Sequence, residues 1–395
     1  MTVAARPLGA LTLLGLGVNG IVGVGIFVAP KSVAAAFPGP RGALVYLAMA
    51  AACVPVALVY ARLARAFPID GGPALYARRA FGDAAAQAIG ALTWVSALFS
   101  TAAVTRALAE RLSPGHAGIV AAGICGALAL VNLRGLTLSA AAWTTLTILK
   151  LLPLLALACL GLAATATQAA PSANVGAVGP ALLAILFALQ GFEIVSLPAG
   201  QAEGARSVPR ATIGSLLLAG ALYALVHLAC VRALSTVGDG PIPAAAAVLG
   251  GARLARAIDL GILCSIGGIV VGMHAMTPRY LSALREDVQS AASPAWALLP
   301  TALVAGVLSA SSALATLLDL SSIAVLSQYA ASAVALLVLA RRRVGGLALP
   351  DAWPVLPSFV VVIVLLLQAR PRELALAAGV TLATTLVVRR VVRPT

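Results

Sequence analysis

The sequence predicts an all-α integral membrane protein of about twelve transmembrane helices, with helices 1 and 6 broken. Three observations predict it. First, 61% of the 395 residues are hydrophobic and 10% are charged, with a mean hydropathy of +1.05. A soluble chain is about a quarter charged, so this one lacks the polar residues to cover a surface in water. Second, apolar runs recur along the whole chain. A span takes about 20 apolar residues, so twelve would use about 240 positions, about 60% of the chain, close to the hydrophobic fraction. Third, the first and sixth runs are interrupted by glycines.

The runs lie near 8–30, 42–66, 84–109, 115–133, 139–164, 180–200, 211–234, 256–280, 295–311, 313–340, 353–369 and 373–391, bounded by Gly, Pro and Arg. The longest less apolar stretches, 67–83 and 235–256, are loop-sized, so the chain reads as a single transmembrane domain. An even number of spans with breaks in the first and sixth suggests a five-plus-five inverted repeat, 8–164 and 180–340, with 353–391 as two additional helices.

A net charge of +14 invites a nucleic-acid surface, but the basic residues fall in short clusters between apolar runs. Cytoplasmic loops look like this under the positive-inside rule. With both termini in the cytoplasm, the inner side collects sixteen Lys and Arg residues, among them Arg62, Arg65, Arg78, Arg79 and the Arg341–Arg343 run. The outer side collects nine, and Lys150 is left inside a span. The expected location is the cell inner (plasma) membrane, with lipid and no nucleic acid as surroundings. The five cysteines show no CxxC or metal spacing and read as small core residues, and the three histidines are isolated from one another. No cofactor or metal is implied. Segment 1 is too long for a signal-peptide core and is expected to be retained.

Segment 1 holds Gly20, Gly23 and Gly25 within six residues. Glycines there let a helix unwind, and the N–H groups of the following half-helix would favour an anion such as a carboxylate. Close helix packing through small residues is the competing reading. Gly15, Gly17 and Gly20 also spell GxGxxG, but that dinucleotide fingerprint needs a preceding strand and a βαβ unit. Segment 6 carries Gln190, Gly191, Phe192 and Glu193. A carboxylate in a span costs about 2.5–3.5 kcal/mol on insertion scales, so Glu193 reads as a proton site, a gate, or a strut tying the broken helix to a neighbour. Lys150, in LTILKLLPLL, is one of only two lysines against 24 arginines. A buried lysine can lose its proton and an arginine effectively cannot, which makes Lys150 a candidate for proton coupling; snorkelling from a span end is the alternative. Asp259 and Asp319 lie in or near apolar runs without a motif that gives them a task.

Taken together, these segments resemble the amino acid–polyamine–organocation transporter superfamily over most of the chain. Gly23-Val-Gly-Ile-Phe27, followed by Pro30, looks like that family's helix break. The stretch from Pro68 to Gly82 is similar to its loop between segments 2 and 3. Asn132-Leu-Arg-Gly135 and Gly191-Phe-Glu193 match the ends of its segment 4 and its segment 6, with Glu203 and Pro209-Arg-Ala211 following. The resemblance implies a LeuT-like fold and a secondary active amino acid transporter, proton-coupled, working by alternating access. The alternative is an amino acid or amino acid/amine exchanger without net proton coupling. It implies no enzyme. The backbone around Gly23, Val24, Gly25 and Ile26 would hold a substrate carboxylate, and that around Phe187, Ala188 and Gln190 would accept from its amino group, with Val22 and Gly191 as further substrate-binding residues. Phe192 looks like the family's aromatic gate. Lys150 falls where some proton-coupled members carry a lysine in place of a sodium site, and Glu193 is the second expected proton group. Val24 replaces a small or hydroxyl residue often found there, which bears on pocket size.

Overall fold

The computed structural model describes residues 8–69, 71–134, 140–164, 173–196, 199–204, 206–282, 284 and 294–391, with the backbone alone at 140–149, 201 and 389–391. The described residues form fourteen α-helices: α1 Ala10–Ile21, α2 Gly25–Ala36, α3 Arg41–Ala66, α4 Gly72–Phe81, α5 Asp83–Leu112, α6 Ala117–Leu133, α7 Ala140–Ala163, α8 Val178–Leu189, α9 Ser207–Ala233, α10 Pro241–Ser282, α11 Ala295–Ser311, α12 Leu314–Arg341, α13 Val355–Leu366 and α14 Pro371–Val391. Among them nine helical spans are long and apolar enough to cross a bilayer, or ten if α1 and α2 are taken as one bent span. The chain is a multi-pass membrane protein.

Nine or ten is fewer than the twelve spans expected, for two reasons. Side chains of the fifth segment are described only from Lys150 onward. The ninth, α11, has 17 residues, the short end of what spans a hydrocarbon core. Two stretches read as loops contain helix. Gly72–Phe81 forms α4, started by Pro73 in its first turn, a position that costs the helix no hydrogen bond. Pro241 begins an apolar helix that runs on into α10, and Gly251, at φ 71°, kinks the 42 residues into two pieces.

The helices pack in an inner group and a periphery. α1 and α3 lie on α9, α2 on α8, and α5 on α10 and α12. Between them sit the largest fully buried side chains, including Tyr46, Tyr60, Tyr223, Tyr329, Phe99 and Phe192. The outer helices turn apolar faces outward, with Ile119, Leu303 and Leu356 all more than two-thirds exposed. A contiguous apolar exterior of this kind belongs against lipid.

Candidate functional site

The helix starting at Ala10 stops at Ile21 because Val22 takes ψ 88°. Helix resumes at Gly25, and the two pieces are bent by 55°. Gly25 is required by a neighbour as well as by the break. A Cβ there would lie 2.6 Å from the Ala188 Cβ, and closer still to its Cα, so α2 and α8 touch backbone to backbone. The chain leaves helix a second time after Leu189. Gln190 is extended, with ψ 153°, and Gly191 has φ 116°. Any Cβ on Gly191 would come within 2.7 Å of the Gly20 carbonyl oxygen. The two interruptions therefore lie against each other.

Three side chains serve the carbonyls and amides that these interruptions free, and a fourth, Gln190, bonds hydroxyls. A helix that ends in an apolar interior leaves carbonyls needing donors. Lys150 Nζ, from α7, donates to the Val22 carbonyl at 2.5 Å and the Asn19 carbonyl at 3.3 Å. Tyr223, from α9, places its hydroxyl 2.8 Å from the Ile21 carbonyl and 3.0 Å from the Ala188 carbonyl. Its one proton is thus shared between the two breaks. Glu193 Oε2 accepts from the Gly191 N–H at 2.9 Å and from the Tyr329 hydroxyl at 3.0 Å. Gln190 donates to Ser100 and Ser321, whose hydroxyls lie 2.7 Å apart. Its Oε1 is buried without a partner.

The breaks open onto a cavity of about 810 Å³, within the usual range for small-molecule sites. Gly23, Val24 and Gly25 line it from one side, and Phe187, Gln190, Gly191 and Glu193 from the other. It runs along α1 to Leu8, Leu11 and Thr12, at the start of that helix. Among the described residues no side chain caps α2; the Phe27 N–H bonds the Val24 carbonyl, which leaves those of Gly25 and Ile26 for whatever occupies this space, and helix N-termini favour anions.

Family membership is decided by the sequence of this core. A model of the family described as amino acid permease matches residues 8–378, from the first turn before α1 into α14. The chain belongs to the amino acid permease family. An uncharacterized transporter of Mycobacterium tuberculosis (strain ATCC 25618 / H37Rv) is 30% identical over 261 residues, 64% of this chain and 55% of the relative. The serine/threonine exchanger SteT of Bacillus subtilis is 25% identical over 306 residues, 72% of this chain and 69% of that one. A chloroplastic cationic amino acid transporter of Arabidopsis thaliana is 25% identical over 318 residues, covering 72% and 56%. The chain spans about half the length of the mycobacterial relative it matches.

In this chain the residues singled out from sequence divide into two sets. Gly23, Val24, Gly25, Phe187, Gln190, Gly191 and Glu193 line the cavity. Val22, Ile26, Ala188, Phe192 and Lys150 stand behind its wall, all of them buried. Phe192 packs away from the cavity against Tyr60 and Tyr329, with ring centroids 6.4 and 5.5 Å distant. Of the other acids, Asp259 pairs with Arg111, and Asp319 lines a different cavity. Cys53, Cys125 and Cys230 are buried, whereas Cys159 is exposed and Cys264 half-buried. Among the described residues, no group of three or more His, Cys, Asp or Glu side chains could hold a metal ion.

Sequence reasoning missed Tyr223, Tyr329 and Ser100. The available signal was a tyrosine hydroxyl or a polar residue inside an apolar run, since a buried hydroxyl needs a partner. Tyr223→Phe removes the one proton that ties Ile21 to Ala188. At about 0.5–1.5 kcal/mol for a hydrogen bond, the expected result is a lower thermal midpoint with the fold retained, read by a thermal-shift assay on purified protein. An unchanged midpoint would show that the bridge contributes nothing.

Proposed function

We propose that this chain moves amino acids across the cytoplasmic membrane by alternating access, coupled to protons through Lys150. The observation that carries the reading is the meeting of two helix interruptions at one cavity. Non-helical backbone at membrane depth survives only where it is buried in protein or lines a cavity, and broken helices in both halves of a chain point to a transporter's binding site. In this reading α1–α7 and α8–α12 are the two halves of a LeuT-like five-plus-five repeat, and α13 and α14 are additions. The amides of Gly23 to Ile26 hold the substrate carboxylate. The amino group takes the end of α8, where Phe187 and Gln190 line the cavity. With the N-terminus cytoplasmic, a cavity running towards Leu8 is one open to the inside.

Among the described residues, Lys150 has no carboxylate in its hydrogen-bond set, and its acceptors are the Asn19 and Val22 carbonyls of the first break. Protonation therefore adds charge-assisted bonds at the point where the substrate's wall is held, and proton loss weakens them. Glu193 braces the second break through Gly191 and Tyr329, the arrangement of a strut.

The test is uptake of radiolabelled amino acids by proteoliposomes, starting with serine, threonine, lysine and arginine, with and without an inward proton gradient. Gradient-stimulated uptake of at least one is expected. Uptake that needs internal amino acid and ignores the gradient would favour exchange, the activity in the name of the Bacillus subtilis relative. No uptake or counterflow of any amino acid would overturn the reading.

A further inference from the structure

Three apolar spans end or begin at one place. α12 ends at Arg341, and the span that continues through α13 begins at Leu349. The connection between them, 342–348, is too short to cross a hydrocarbon core of about 30 Å at about 3.5 Å per residue. Contacts bring the end of α3 to the same point. A Cβ on Gly345 would fall 3.0 Å from the Phe67 ring. Arg62, one turn before the end of α3, donates to the Asp351 carbonyl and lies 5.6 Å from the centre of the Trp353 ring. Arg342 donates to the Ala80 carbonyl at 2.8 Å, which adds the end of α4. Residues 62–83 and 341–353 thus share one surface.

That surface is strongly basic. Its two segments hold seven arginines and three aspartates. Asp83 pairs with Arg78 at 3.0 Å and Asp351 with Arg62 at 3.7 Å. Asp70 lies outside the described residues, and setting it against a further arginine still leaves four. Arg65, Arg79, Arg341, Arg342 and Arg343 are all exposed. Three of these are consecutive where α12 stops, and Arg343 takes φ 54°, the one positive φ outside glycine among the described residues. Large apolar side chains border the arginines: Leu349 is 59% exposed, Trp353 55% and Leu356 74%.

We infer that this surface binds an anionic diacyl phospholipid, its phosphate on the arginines and its acyl chains along Leu349 and Leu356. A guanidinium takes a phosphate through two parallel hydrogen bonds. Tryptophan belongs at headgroup depth, and basic clusters at that depth suit anionic headgroups. The positive-inside rule asks only that loops on one side be basic. Here the fold also gathers loops distant in sequence, since the Arg342–Ala80 bond joins residues 262 apart. A soluble anion would match the charge but leave the leucines and Trp353 uncovered. The inference needs neither the transport reading nor a particular orientation in the membrane.

Native mass spectrometry of the purified, delipidated full chain, titrated with dioleoylphosphatidylglycerol or dioleoylphosphatidylcholine, tests it. The two lipids share their acyl chains, so the ratio of their affinities reports the headgroup. Phosphatidylglycerol is expected to bind at least about tenfold tighter. Arg341→Gln combined with Arg343→Gln should cut that ratio several-fold, and adding Arg65→Gln and Arg79→Gln should bring it close to one. All four side chains are exposed, so the variants should keep the fold. Arg253→Gln with Arg256→Gln, two exposed arginines on α10, is the control and should leave the ratio unchanged. Glycerol 3-phosphate, a headgroup without chains, should not displace the lipid. Displacement by it would mark a soluble-anion site and overturn the lipid assignment. Equal affinity for the two lipids overturns the inference, as does a preference that survives the four substitutions or falls equally in the control.

Discussion

Lys150→Met is expected to reduce uptake by at least tenfold and to abolish its stimulation by an inward proton gradient. The reason lies at the end of α1. Two carbonyls there, Asn19 and Val22, take their donor from Lys150 Nζ, and the residue is only 2% exposed, so water does not replace it. Hydrogen bonds to a charged group contribute about 1.5–3 kcal/mol each. Losing one is a factor of about 10 to 100 in whichever state needs it. Methionine keeps the length and apolar stem of lysine, so the effect isolates the amino group. Lys150→Arg separates charge from titration, because arginine stays charged throughout the working range. It should keep substrate binding, seen as a ligand-induced thermal shift, while uptake loses its pH dependence. If Lys150→Met protein stays monodisperse and takes up substrate with the wild-type response to the gradient, coupling through this residue is refuted and exchange becomes the better account.

Glycines and misplaced charges made part of this site legible without coordinates. Gly20, Gly23 and Gly25 stand out because glycine is poor in helices and three within six residues is a cost that demands a cause, and Gly191 stands out beside a carboxylate inside an apolar run. Lys150 stood out against a background of arginine. What these residues touch was not legible. The acceptors of Lys150 are carbonyls, which carry no sequence signature. Phe192, which looks like the family's aromatic gate, packs on Tyr60 and Tyr329 outside the cavity lining, a placement the sequence does not show because a segment apolar on all sides has no polar stripe to say which face points inward. Tyr223 joins residues 202 and 35 positions away, a proximity that only the packing of α1, α8 and α9 creates. The kink at Gly251 escaped for a different reason. A single glycine in an apolar stretch is common in membrane helices, and only its positive φ shows that it bends the chain.

The same glycine logic sets the second large effect. Gly25→Ala should lower the thermal midpoint and cut substrate affinity at least tenfold. Alanine is the better helix former by about 1 kcal/mol, so a helix-propensity view predicts stabilisation of α2. Contact decides otherwise. The new methyl would sit 2.6 Å from the Ala188 Cβ and 3.0 Å from its backbone nitrogen, where carbon atoms rest at about 3.5–4.0 Å. α2 and α8 must then part by about 1 Å. The Ala188 carbonyl, 3.0 Å from Tyr223, moves out of hydrogen-bond range, and the amides of Gly25 and Ile26 shift relative to Gln190 across the cavity. Overpacking of this kind costs about 1–3 kcal/mol, and it falls on the geometry that defines the site. Gly126→Ala on α6, where a Cβ meets nothing within 4 Å, is the control and should be neutral or slightly stabilising. Combining Gly25→Ala with Ala188→Gly removes the side-chain part of the collision and leaves the part with the Ala188 Cα. A double-mutant cycle should therefore show partial rescue of the midpoint. Full rescue would mean that only the two methyl groups collide, and that the backbones of α2 and α8 are not in contact at this point.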